Sequence, residues 1–164
     1  MDKKSKIILI AGPTASGKSN FAIKLAKKVD GEVINTDSMQ IYKEIKILNA
    51  RPNLIKIKNI THHLYGFHSV KKNFSTGDWL KKTIKLIKQI HKKNKTPILV
   101  GGTGLYFRAI INGLVKIPAI PKKYRIQIRN YHRKIGQKKF YNNLIKLDPL
   151  VISKINANDA HRSL

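Results

Sequence analysis

The chain of 164 residues is long enough for one hydrophobic core with a small appendage. Its 34 Lys and Arg against 8 Asp and Glu give a formal net charge of +26, which attracts polyanions and excludes basic partners. The absence of cysteine excludes disulfides and thiolate metal sites in this sequence, and no apolar run approaches the about 20 residues of a membrane span.

The N-terminal residues Met1–Lys6 lead directly into a short apolar segment and contain no apolar core of a signal peptide. We therefore expect a cytoplasmic protein that does not bind membranes. Nucleic acid is the natural partner for the positive charge, and a solvated lysine-rich surface without a ligand is the alternative.

The first recognisable motif is a phosphate-binding loop. Ile7–Ile10 is continuously apolar, which predicts a parallel strand buried on both faces, and apolar residues at helical spacing follow the loop. Between them the chain matches the P-loop pattern of Gly, four residues and Gly-Lys-Ser/Thr. The pattern predicts that Lys18 reaches outer phosphate oxygens and that Ser19 ligates Mg²⁺. The residues expected to bind the diphosphate or nucleotide are Gly12, Pro13, Thr14, Ala15, Ser16, Gly17, Lys18 and Ser19.

A second strand is predicted at 32–35, after a turn at Asp30-Gly31, and it delivers Asp37 to its carboxyl end. Ligands of open parallel sheets bind beyond this end of the strands, so we expect Asp37 to face the same crevice as the P-loop. A carboxylate there can bind magnesium, orient a nucleophile or accept its proton, and the alternative is a helix N-cap.

The next segment, 41–59, predicts a short helix followed by a basic loop, and residues 61–68 predict a short strand or turn with three histidines. We expect no metal there, because adjacent side chains of a strand point to opposite faces and no acidic or thiol residue lies close by.

Helix-capping residues at 74–79 open a helix whose buried side is predicted to carry Leu80, Ile84, Ile87 and either Ile90 or His91. The apolar run Pro97–Val100 then reads as a central parallel strand. Alternating strands and helices predict an α/β fold, a P-loop NTPase-like parallel sheet flanked by helices with right-handed crossovers.

The third strand lacks the aspartate at its end that holds magnesium in hydrolysing P-loop proteins. Gly101-Gly102-Thr103 stands there instead, which brings backbone close to a ligand and presents the Thr103 hydroxyl beside the P-loop. This argues against an ordinary ATPase or GTPase, and the alternative is a tight turn into a helix from Leu105 to Asn112.

From Pro118 onward the sequence predicts a small, basic, all-helical insertion, so we expect a catalytic α/β domain at 1–117 and a helical domain at 118–164. One helix is marked by Tyr124, Ile128, Tyr131 and Ile135 and ended by Gly136; a second is marked by Phe140, Tyr141, Leu144 and Ile145. Their positive face suits phosphates, and a solvated lysine-rich helical hairpin is the alternative.

Three motifs in register resemble the tRNA dimethylallyltransferase family: residues 12–19, Asp37–Gln40 and Gly101–Phe107. Further matches occur in the family's order and cover nearly the whole chain: Arg51-Pro52, His62-His63-Leu64, Phe74-Ser75, Ile117-Pro118, Arg125, Leu147-Asp148-Pro149 and Asn158-Asp159 through Arg162. The resemblance implies Mg²⁺-dependent transfer of a dimethylallyl group from dimethylallyl diphosphate to N6 of adenosine 37, next to the tRNA anticodon.

In that chemistry Lys18, the loop amides, Mg²⁺ on Ser19 and a hydrogen bond from Thr103 would neutralise the leaving diphosphate. Asp37 would accept the proton of the attacking amine. The resemblance implies that the anticodon stem-loop of tRNA contacts Asp37, Ser38, Met39, Gln40, Thr103, Arg125, His161 and Arg162.

The sequence departs from the family pattern at Leu48-Asn49, Ala160 and His161, which concern substrate fit. Family members continue beyond Leu164, so the resemblance implies a C-terminally truncated member, which we expect to be a monomer. A P-loop kinase for a small metabolite or nucleotide and an inactive RNA-binding fragment remain as alternatives.

Overall fold

The computed structural model describes residues 6–48, 51, 59–115, 118 and 120–164. The chain divides into two compact units, Met1–Val115 and Lys116–Leu164. The first unit is the expected α/β fold, and the described part of the second is helical. The domain boundary expected between Ile117 and Pro118 stays a prediction, because Ile117 lies outside the described residues.

The first unit contains four strands and three helices within the described residues. In chain order they are β1 Ile8–Ala11, α1 Lys18–Val29, β2 Gly31–Asn35, β3 His62–His63, α2 Thr76–Lys92, β4 Thr96–Gly101 and α3 Gly104–Asn112. The second unit contains α4 Lys122–Ile135, α5 Gln137–Leu147, α6 Val151–Lys154 and α7 Ala160–Ser163. None of the helices in these ranges has the length and apolar composition needed to cross a bilayer.

The four strands form one parallel sheet in the order β1-β4-β2-β3. The prediction that β4 is a central strand is confirmed, because it pairs with β1 on one side and β2 on the other and is buried from Pro97 to Gly101. One core cluster lies around Ile34, Leu99 and the side chains of α2 and α3. A second, around Val33 and Ile98, packs against α1.

The prediction that the first strand is buried on both faces is wrong. Ile7 and Leu9 are 40% and 39% exposed, and burial alternates along β1. The reason is position, since β1 lies at an edge of the described sheet with β4 as its partner. Ile8 and Ile10 pack on the α1 side, whereas Leu9 points to the opposite face.

Helix α2 begins as predicted, and Ile87 and Ile90 are buried as predicted, but the buried side is rotated toward Trp79 and Thr83 and away from Ile84. Ser75 and Asp78 form a capping box, in which each side chain accepts from the other residue's backbone N–H. The buried side chains are Trp79, Thr83, Ile87 and Ile90, whereas the predicted Ile84 is 41% exposed. The indole of Trp79 fixes the rotation of the helix, because its Nε1 donates to the Asn35 carbonyl at 3.0 Å and its ring stacks on Tyr106 at 4.2 Å.

The short helix predicted after residue 40 is wrong for 41–48, which form turns. Backbone hydrogen bonds explain the difference: His68 N donates to Ile41 O at 3.0 Å, and Lys43 N donates to His68 O at 2.9 Å. The segment thus pairs with the chain after β3 rather than with itself. Most of the predicted basic loop, 49–50 and 52–58, lies outside the described residues.

The expectation that no acidic residue lies close to the histidines is wrong, because the fold brings Glu32 next to His63 although the two are distant in the sequence. The Glu32 carboxylate, 2% exposed, lies 2.7 Å from His63 Nε2 and 3.1 Å from Lys93 Nζ. Burial raises the pKa of Glu32, but the hydrogen bonds from His63 and Lys93 outweigh burial and hold this pKa below its ordinary value. Across the described residues, no cluster of three or more His, Asp or Glu side chains could hold a metal.

Replacing Glu32 with Gln is expected to lower the free energy of unfolding by about 1–3 kcal/mol near neutral pH, because His63 and Lys93 lose the charged acceptor that the buried carboxylate provides. The lowered pKa means that the unfolded state binds the proton first, so the contribution exists above the ordinary pKa of 4.5 and is lost as pH falls through the folded value. Urea unfolding at a series of pH values measures this. As the pH falls, the free energy of unfolding of the wild type should approach that of Glu32→Gln. The control is Asp30→Asn, which removes an exposed ion pair with Lys95 and should change the free energy of unfolding little.

The helical unit is held mainly through α5. Phe140 and Tyr141 are its buried residues, and the Tyr141 hydroxyl donates to Ile155 O at 2.8 Å. Gly136, at φ 77, lies between α4 and α5 and ends α4 as predicted. The predicted apolar residues of α4 lie within the helix, but none of its residues is buried. Tyr124, Ile128 and Tyr131 are 58%, 44% and 45% exposed.

Candidate active site

The P-loop motif forms the connection between β1 and α1. Its backbone turns through left-handed residues at Ala15, φ 65, and Gly17, φ 80, and such alternation points successive N–H groups toward one side. Lys18 begins α1, so the positive end of the helix adjoins the loop. The Lys18 ammonium lies against the loop, donating to the Pro13 carbonyl and, at 3.4 Å, to Ser16 Oγ.

Asp37 follows β2 and is positioned by its neighbours in the chain. Its N–H donates to Asn35 Oδ1 at 3.0 Å, and its Oδ1 accepts from Met39 N at 2.9 Å. The fully buried Asn35 amide also donates to the carbonyls of Asp37 and Leu64, at 2.9 and 3.0 Å. This one buried side chain therefore fixes the Asp37 loop and the residues after β3 relative to each other.

Thr103 lies at the N-terminus of α3, and its hydroxyl contacts the segment after Asp37. Thr103 Oγ1 accepts from Ser38 N at 2.9 Å and donates to Ser38 Oγ at 3.2 Å. These bonds hold Ser38, and the expected hydrogen bond from Thr103 to a diphosphate stays a prediction. Met39 is 54% exposed, and the Gln40 carbonyl accepts from Gly66 N at 2.9 Å.

The P-loop and Asp37 share one cavity of about 290 Å³. Its lining residues come from the carboxyl ends of all four described strands, or the loops that follow them, and from the start of α1: Thr14, Ala15, Ser16, Gly17, Lys18, Ser19, Asn20, Asp37, Gln40, Tyr65, Val100 and Gly101. Asn20 and Tyr65 did not emerge from the sequence. The signal for Tyr65 is its place just after β3, since strand ends of a parallel sheet converge on the ligand crevice.

Ser19 and Asp37 supply oxygen atoms to this cavity, which is the ligand chemistry that Mg²⁺ prefers. Protein sites for Mg²⁺ commonly provide only one or two oxygen ligands, the others being water and substrate phosphates. The residues present therefore fit the ion, with Ser19 as the predicted ligand and Asp37 close enough to share the cavity.

The remaining predicted tRNA-binding residues lie on the helical unit. Arg125 is exposed on α4, and His161 and Arg162 are exposed on α7. Arg162 Nε lies 3.5 Å from the Asp159 carboxylate, which also caps α7. A groove on this unit is lined by Tyr131, Ile135, Lys139, Asn142, Asn143 and Lys146.

A parallel sheet whose edge strand runs into a glycine-containing phosphate loop and a helix defines a P-loop α/β protein. The IPP transferase family model matches residues 40–164. The chain is 64% identical over 164 residues to the tRNA dimethylallyltransferase of Pelagibacter ubique (strain HTCC1062), covering all of this chain and 52% of that protein. It is 48% identical over 160 residues to the tRNA dimethylallyltransferase of Rickettsia canadensis (strain McKiel), and the match covers 98% of this chain and 49% of that protein. The chain belongs to the IPP transferase family.

Solved structures agree with this assignment. A eukaryotic dimethylallyltransferase acting on tRNA superposes with a TM-score of 0.81 at 33% identity, covering 96% of this chain and 39% of that one. The tRNA isopentenylpyrophosphate transferase of Bacillus halodurans gives a TM-score of 0.67 at 33% identity, covering 96% and 52%. The chain thus spans about half the length of the curated relatives described above.

Proposed function

We propose that the protein transfers a dimethylallyl group from dimethylallyl diphosphate to N6 of adenosine 37 in tRNA, with Mg²⁺. The main support is the shared cavity, because the P-loop and Asp37 both line one space large enough for a small substrate. The family supplies the reaction class, and the curated relatives bear the name of this activity.

The P-loop would hold the diphosphate as a leaving group. When the bond between the allylic carbon and its oxygen breaks, the electron pair stays on that oxygen and negative charge grows on the diphosphate. Loop N–H groups, the start of α1 and the Lys18 ammonium stabilise this charge, and Mg²⁺, held through Ser19, would neutralise part of it when bound. We assign Lys18 as the main cationic side chain of this clamp.

Asp37 would act on the nucleophile. The lone pair of N6 is delocalised into the adenine ring, so attack is helped by a carboxylate that accepts the N6 proton as the nitrogen–carbon bond forms. Asp37 Oδ1 is occupied by the Met39 N–H, which orients the carboxylate and leaves Oδ2 for the proton. Thr103 would support this arrangement by holding Ser38.

The tRNA would reach the cavity through its anticodon loop. Adenosine 37 must leave the stack to reach Asp37, and Ser38, Met39 and Gln40 would border its pocket. On the helical unit, Arg125, His161 and Arg162 would contact the stem-loop, in keeping with the net charge of +26. We propose a monomer acting in the cytoplasm, where tRNA is modified.

A transfer assay tests this proposal. The 164-residue protein is incubated with labelled dimethylallyl diphosphate, Mg²⁺ and unmodified tRNA, and label in N6-modified adenosine is the expected result. ATP turnover without labelled RNA would favour a small-molecule kinase, and RNA retention without either product would favour an RNA-binding fragment. A tRNA in which adenosine 37 is replaced by guanosine is the control and should remain unlabelled.

A further inference from the structure

We propose that Tyr65 forms the apolar wall for the allyl chain and restricts that chain to five carbons. This inference rests on the proposed function and assigns a specificity role to a residue that the family motifs do not include. It concerns the part of the cavity that receives the hydrocarbon rather than the diphosphate.

Tyr65 is the aromatic residue of the cavity lining. Other lining side chains are polar, charged or small: Val100 and Ala15 are the further apolar ones, and Gly17 and Gly101 carry none. An allyl group whose diphosphate occupies the P-loop must lie between that loop and Asp37 to meet the nucleophile. Its carbons lose contact with water favourably only against apolar surface, and Tyr65 has the largest apolar group among the side chains that line the cavity.

The Tyr65 ring is held in a fixed place. It packs against the core cluster of Ala22, Val33 and Val100, and its ring centroid lies 5.7 Å from that of His62. The preceding residue is anchored too, because Asn35 Nδ2 donates to Leu64 O and to Asp37 O. The same buried amide therefore sets the position of the proposed wall relative to the proposed base.

The Tyr65 hydroxyl stays neutral at this position. Burial, reinforced by the Asp37 carboxylate, raises the pKa of the phenol above its ordinary value. The face of a neutral aromatic ring attracts positive charge, and positive charge grows on the allylic carbon as the diphosphate departs. The wall is thus compatible with the transition state as well as with the bound chain.

Isothermal titration with inorganic diphosphate and with dimethylallyl diphosphate isolates the chain's contribution to binding. The wild type is expected to prefer dimethylallyl diphosphate, and Tyr65→Ala should reduce this preference by roughly 10-fold because apolar contact is lost. Tyr65→Phe keeps the ring and should keep the preference. Phe67→Ala is the control, an exposed aromatic residue two positions on that does not line the cavity.

Chain length is tested with the ten-carbon geranyl diphosphate in the transfer assay. Removing the wall should raise the ratio of geranyl to dimethylallyl kcat/KM by about 10-fold in Tyr65→Ala. Tyr65→Leu, which preserves apolar packing if alanine impairs folding, should raise the ratio less. If Tyr65→Ala and Tyr65→Leu both keep the wild-type preference for dimethylallyl diphosphate and the wild-type chain selectivity, Tyr65 does not form the apolar wall.

The two proposals can fail separately. If the wild type labels tRNA but Tyr65→Ala binds and selects chains like the wild type, the assignment of Tyr65 is wrong and the proposed function stands. If the wild type shows a Tyr65-dependent preference for dimethylallyl diphosphate but never labels tRNA, the allyl wall stands and the transfer to tRNA is wrong.

Discussion

Replacing Asp37 with alanine is expected to lower the rate of dimethylallyl transfer by about 10²–10⁴-fold, the usual contribution of a general base. The variant loses the carboxylate that would accept the N6 proton, whereas the P-loop is untouched. Single-turnover transfer to tRNA measures the loss, and titration with diphosphate should show affinity close to that of the wild type. The effect should therefore appear in kcat rather than in binding of the diphosphate.

The matched control for this variant is Asp30→Asn. Asp30 precedes β2 and Asp37 follows it, so the two carboxylates lie at opposite ends of one strand, and only Asp37 lines the cavity. Asp30→Asn should transfer at the wild-type rate. A near-normal rate in Asp37→Ala would remove Asp37 from the role of base, and a loss of diphosphate binding would assign it to the phosphate site instead.

Replacing Gly101 with alanine is expected to lower the free energy of unfolding by roughly 3 kcal/mol. A Cβ at this position would lie 2.1 Å from the Thr36 carbonyl oxygen and 2.7 Å from Asp37 N, both backbone atoms that a rotamer change cannot move. The chain at Thr36 and Asp37 must shift, which displaces the proposed base as well. Chemical unfolding measures the stability, and transfer should fall by about 10²-fold in the folded fraction.

Gly102→Ala is the control from the neighbouring position. Its Cβ would meet Gly12 O at 3.4 Å, an ordinary contact, so stability should change by about 0.5 kcal/mol or less. Equal losses in the two variants would show that the turn tolerates no side chain at all. A stable, active Gly101→Ala would contradict the close approach of β4 to the chain after β2.

Periodicity and motif predicted the positions of β1, β2 and β4 and of the P-loop, but not the order of the strands in the sheet. Pro97–Val100 is apolar without interruption because β4 is buried on both faces, and the strand before the loop was recognised by the same pattern. Its burial was predicted wrongly, since an apolar run does not reveal whether a strand has one neighbour or two. Helix α2 shows the same limit, as Trp79 rather than Ile84 fixes which side faces the sheet.

The sequence by itself determined the α/β class, the P-loop motif between β1 and α1 and the place of Asp37 just after β2, because these depend on short-range pattern and chain order. Only the tertiary structure decided that Tyr65 joins the cavity, that Asn35 ties Asp37 to Leu64 and that Glu32 meets His63. These contacts join residues about 30 positions apart, and no local pattern encodes them because they arise when β3 pairs beside β2.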